Sequence, residues 1–125
     1  MDEVQVLACK DDCPELPIVQ GDGRARAVVW PGVGASMRSM HHIRLEPSAG
    51  TCDQSHPMEA VYYVMAGSGQ VFDPNEGEAD PIVEGSMVHI EPGTTYRFEA
   101  GPDGMVLLGG PCPVDPSLYA HLAST

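Results

Sequence analysis

Apolar and polar positions alternate in short runs along this chain, and Gly and Pro separate the runs. In QSHPMEAVYYVMAGSG, Gln54 to Gly69, a period of two puts Gln54, His56, Met58, Ala60 and Tyr62 on one face. Strand-forming Val61, Tyr62, Tyr63 and Val64 make up its centre, and Gly67 and Gly69 close it. Ser39 to Leu45 alternates likewise, with His41, Ile43 and Leu45 on an inner face and Met40, His42 and Arg44 opposite. Ala27 to Trp30 predicts a strand ended by Pro31 and Gly32. Val88 and Ile90 take the apolar face of a further strand, which points His89 away, and Met105 to Leu108 predicts a closing strand. Gln70 to Asp80 predicts a hairpin with an acidic tip. Val4 to Ala8 predicts a first strand or arm within an N-terminal segment of residues 1–20. Near the other end, Asp115 and Pro116 read as the N-cap and first residue of a short helix.

These elements describe one domain over residues 1–125, with no internal repeat. The 14 Gly and 12 Pro favour turns and short strands over a bundle of long helices. Eighteen acidic against six basic residues give a formal charge of −12, which disfavours nucleic acid or an anionic membrane as partner. No apolar run reaches the ~20 residues of a bilayer span. MDEVQVLACKDDC lacks the basic and apolar regions of a signal peptide, so a cytoplasmic location is expected, with Cys9, Cys13, Cys52 and Cys112 as thiols. The C-x3-C pair of Cys9 and Cys13 has no second pair to make a zinc site. The acidic tip DPNEGEAD lacks the spacing of a calcium loop and reads as solvated.

Two spacings carry a family resemblance. The first cupin motif, G-x5-H-x-H-x3-E-x6-G, falls on residues 48–67, where His56 and Gly67 match. Ser48, Gln54 and Ala60 stand where that motif has Gly, His and Glu. The second, G-x5-P-x-G-x2-H-x3-N, falls on residues 85–100, where Gly85 and Gly93 match and Tyr96 takes the place of the His. Glu91 and Ala100 replace its Pro and Asn. The chain thus resembles a small single-domain bacterial cupin across roughly residues 40–110. That implies an all-β, double-stranded β-helix or jelly-roll barrel with a short C-terminal helix, and a homodimer joined through N-terminal arms. The stretch MEAVYYVMAG also resembles ectoine synthase at an offset of one residue, and the one-domain size is that of cupin polyketide cyclases.

Carried over by position, the cupin metal set becomes Gln54, His56, Ala60 and Tyr96, with His41 in reserve. Imidazole suits iron, zinc, nickel or copper, an amide oxygen is weak, and a phenol must first lose its proton; the set does not distinguish iron, zinc, nickel and manganese. Glu59 has the wrong parity to help. One divalent ion held by His56, Gln54, Tyr96 and His41 would assist lyase, cyclase or isomerase chemistry on a small organic molecule. Two further readings stay open. His56 and Tyr96 are the base and acid pair found in the sugar epimerases of the cupin superfamily, and need no metal. Alternatively, the barrel binds a small ligand without catalysis, lined by Met58, Tyr62, Val64, Val88 and Ile90. For His41, a core histidine bonded to the backbone stands beside the site role.

Overall fold

The computed structural model describes residues 3–122. Eight strands form one sheet that curls into a nearly closed barrel. They are β1 (Val19–Gln20), β2 (Gly23–Val29), β3 (Met40–Leu45), β4 (Gly50–Thr51), β5 (Glu59–Asp73), β6 (Glu78–Val83), β7 (Met87–Ile90) and β8 (Arg97–Cys112). One path runs β1-β4-β8-β3-β2, while β5 pairs with β6, β7 and β8. All ladders are antiparallel.

The two long strands β5 and β8 make the barrel possible. Their register shifts between Val64 and Ala66 and again between Gly67 and Gly69, and such irregularities bend a strand instead of letting it run flat. Gly67 has φ +79°, and a Cβ there would strike the Gly104 carbonyl, so the bend requires glycine. Inside, Ile43, Leu45, Val64, Phe98 and Leu107 are fully buried, and the ring of Tyr62 meets Phe98 edge-on at 4.8 Å. An edge-to-face pair of this kind contributes about 0.5–1.5 kcal/mol beyond its area.

The expected parity holds on both faces. His41, Val88 and Ile90 are buried, whereas His89 and Glu59 are exposed and pair with each other at 2.9 Å. Three local expectations need correction. Of the strand or arm expected at Val4 to Ala8, no strand forms: residues 14–16 take the outer edge of β2 instead, through Leu16 N–H to the Ala25 carbonyl and Ala27 N–H to the Pro14 carbonyl, and Val4 and Val6 are exposed. The closing strand extends well beyond Met105–Leu108 in both directions, since β5 supplies a partner along nearly its whole length. The motif strand begins at Glu59, not Gln54. Gln54 instead makes an isolated bridge to Tyr96, and His56 lies between that bridge and β5.

The last element is a 3-10 helix, Pro116–Leu122. Asp115 precedes it as expected, its Oδ1 accepting from the Ser117 backbone N–H (3.1 Å) and hydroxyl (2.8 Å). No helix is long and apolar enough to cross a membrane, among the described residues.

Candidate functional site

The bridge between Gln54 and Tyr96 is made by two backbone hydrogen bonds, and it brings the two cupin-like segments together at one end of the barrel. There the side chains form a continuous chain. The Tyr62 and Tyr96 hydroxyls lie 2.6 Å apart, Tyr96 is 3.0 Å from His56 Nε2, and His56 Nδ1 is 2.6 Å from Asp115 Oδ2. An ionised carboxylate can only accept, so Nδ1 carries a proton and donates to Asp115. In the neutral imidazole, Nε2 then accepts from Tyr96, whose oxygen in turn accepts from Tyr62. This order satisfies every member of a network from which water is excluded.

Burial sets the electrostatics. It pushes the Tyr96 phenol far above the ordinary tyrosine range, with the neighbouring Tyr62 adding to the effect. Tyr62 is raised for the same first reason, although its bond to Tyr96 opposes the rise. Burial also acts to raise the Asp115 carboxyl, but the hydrogen bonds from His56 and Ser117 outweigh it and hold the group below its usual value. The result is a carboxylate at one end and two protonated phenols at the other, with an imidazole between them.

His41 enters the interior as its parity required. Its Nε2 lies 2.6 Å from the Tyr119 hydroxyl, in place of the backbone carbonyl expected of a core histidine. Burial, then the neighbouring His56, lowers its pKa to about 4. Gly110 leaves room for this ring: a Cβ there would lie 2.9 Å from His41 Nδ1 and 2.6 Å from Ser39 Oγ. Gln54 is buried, and its Nε2 has no hydrogen-bond partner among the described residues. A buried orphan donor of this kind marks a place where an acceptor oxygen would be welcome.

The donor set anticipated for a metal does not fit one. Both ring nitrogens of His56 are engaged by Asp115 and Tyr96, and His41 Nε2 is engaged by Tyr119. Ala60 has no donor and Glu59 is turned outward. No three His, Cys, Asp or Glu side chains come together as ligands among the described residues.

Two residues of this site escaped the sequence reading. Asp115 carried a local signal as a helix cap, but nothing near it in the chain pointed to His56, 59 residues away. Tyr119 lies in the expected terminal helix, yet its reach to His41 spans 78 residues. A cavity of about 910 Å³ lies elsewhere, lined by Gln70, Ile82, Arg97 and Glu99 among others, and Tyr62, Tyr96, His56 and Asp115 do not border it. Arg97 there is already paired with Glu99 (2.9 Å) and Asp53 (3.1 Å).

No family model matches the sequence, and no curated protein matches it either. Solved structures do. A cupin-like protein from Thermotoga maritima superposes with a TM-score of 0.71 at 23% identity, covering 90% of this chain and 83% of its own. The polyketide cyclase RemF from Streptomyces resistomycificus gives 0.69 at 21% identity, covering 87% and 80%. An RmlC-like cupin from Shewanella frigidimarina gives 0.69 at 16% identity, covering 94% and 98%. The fold is therefore that of the cupins, the double-stranded β-helix.

Proposed function

We propose that this cupin-fold chain is an acid–base enzyme that moves protons on a small organic molecule held in the barrel, in an isomerisation, a loss of water or a ring closure. The observation that carries this reading is the buried chain Tyr62–Tyr96–His56–Asp115, a base with its own carboxylate next to two phenols kept protonated. As a ligand enters, the Tyr96 hydroxyl exchanges its bond to His56 Nε2 for one to a ligand oxygen. The freed Nε2 takes a proton from the ligand's carbon, and Asp115 stabilises the imidazolium that forms. Tyr96 supplies a proton to the developing oxyanion, with Tyr62 donating to the phenol oxygen as its charge grows. The unpartnered Gln54 Nε2 offers a further donor to that oxyanion. Ring closure of the kind that the name of the neighbouring polyketide cyclase denotes falls within the same class of proton transfers.

The test is deuterium exchange from solvent into a panel of small hydroxy-ketones and β-keto compounds, followed by mass spectrometry. His56→Ala and Tyr96→Phe are expected to lower the exchange catalysed by the wild-type protein about 10²- to 10⁴-fold while the barrel stays folded. A folded His56→Ala protein with undiminished exchange would overturn the assignment.

A further inference from the structure

The relay is sealed. His56 is 5% exposed, Tyr96 and His41 1% each, so no ligand reaches them in the conformation described. Both histidines meet the segment that follows the last strand, His56 through Asp115 and His41 through Tyr119. We infer that Pro113–Leu122 is a lid, that the ligand enters when it swings away, and that its return carries Asp115 to His56 and so arms the base; the ligand's existence is taken from the acid–base reading above.

The way the segment is attached carries this inference. Among the described residues it joins no strand ladder, and the one backbone hydrogen bond from it to the rest of the chain is a long one, Val114 N–H to the carbonyl of Ser36 in the loop before β3 at 3.4 Å. Its other anchors are side chains. Asp115 reaches His56, the Tyr119 hydroxyl reaches His41, the Tyr119 ring rests 5.4 Å from that of Trp30, and His121 Nε2 lies 2.7 Å from the Glu15 carbonyl oxygen. The barrel strands, by contrast, are locked by continuous ladders, whereas this segment is held by those side-chain bonds and by the packing of Val114, Leu118 and Tyr119 against the core. Two of the anchors end on imidazoles facing the interior. When the lid leaves, His56 Nδ1 and His41 Nε2 lose their partners and become available to a ligand's polar groups. When it closes, water is shut out and the base regains its carboxylate, which is how a lid couples access to chemistry.

The test reads access and does not depend on turnover. Diethyl pyrocarbonate modifies imidazole nitrogens, and peptide mass spectrometry resolves His56 from exposed His89. Lid release frees His56 Nδ1, so the protection of His56 against this reagent is expected to be at least tenfold weaker than that of the Ile43 and Leu107 amides against hydrogen exchange. Tyr119→Ala is expected to weaken His56 protection a further tenfold or more. It should also expose Trp30, the chain's one tryptophan, to acrylamide quenching, while the Ile43 and Leu107 amides change less. If Tyr119→Ala does not fold, Tyr119→Phe, which loses only the hydroxyl, is expected to shift His56 in the same direction. His56 protection equal to that of the core amides, in the wild type and the variant alike, would show that His56 is reached only by global unfolding and would overturn the lid. That result would also deny a ligand access to His56 and Tyr96, whereas an inactive protein whose His56 is still modified through local opening would fail the acid–base reading and leave the lid standing, so the two failures are told apart.

Discussion

Tyr96 and Arg97 are neighbours in the chain and sit at the centre of two hydrogen-bond networks that teach opposite lessons. Tyr96 points into the barrel, where it joins Tyr62 and His56 out of reach of water. Arg97 points outward, where it bonds Glu99 and Asp53 and lies 4.3 Å from the centre of the Phe72 ring. The outer network carries full charges, yet solvent screens them and hydrates each member when its partner is removed. The inner one is shut away from water, and any member left alone keeps its desolvation cost. The connectivity is similar; what separates the networks is the medium, and the energetic weight lies on the dry side.

The largest effect expected from that difference is on acid stability. His41 binds a proton in the unfolded chain near pH 6.5 but in the folded barrel only near pH 4. The unfolded state therefore holds the extra proton between these values, and stability falls as pH drops through that window. At about 1.4 kcal/mol per unit the loss approaches roughly 3 kcal/mol by pH 4. Asp115, whose folded value is lowered, behaves as a carboxylate should: its contribution is complete above the ordinary carboxylate range and is lost as pH falls below it. Urea titrations at successive pH values check this, and His41→Gln should flatten the upper part of the curve. A wild-type protein equally stable at pH 7 and pH 4.5 would contradict it.

Next comes Asp115→Ala, which removes the acceptor from His56 Nδ1 and the cap from Ser117 together. A hydrogen bond to a charged group contributes about 1.5–3 kcal/mol, and a loss of that size should appear in the urea midpoint. Tyr96→Phe should cost somewhat less, about 1–2 kcal/mol, because neutral groups are involved, though it leaves both His56 Nε2 and the Tyr62 hydroxyl short of a partner. The smallest effect belongs to Arg97→Met. It removes two ion pairs, yet its melting temperature should stay close to that of the wild type, and the difference should shrink further in high salt. If Arg97→Met proved more damaging than Tyr96→Phe, the division into wet and dry networks would fail.

Much of this was legible from the sequence, for a local reason. Successive side chains on a strand must point to opposite faces, so alternation alone assigned His56, Gln54, His41 and Tyr62 to the interior and His42, Glu59 and His89 to the outside. The spacing of the two cupin-like motifs likewise placed Tyr96 opposite His56. Local steric rules do not say which distant group an inward side chain will meet. Metal ligation by His56 and His41 was a fair expectation from residue type. In the fold, Asp115 and Tyr119 engage those imidazoles, and both belong to a segment whose return depends on how β8 ends and where the barrel mouth lies. The alternation of side chains settled which residues would be buried; the long-range closure of the chain decided that a carboxylate and a phenol, brought back from the last helix and its cap, would be their partners.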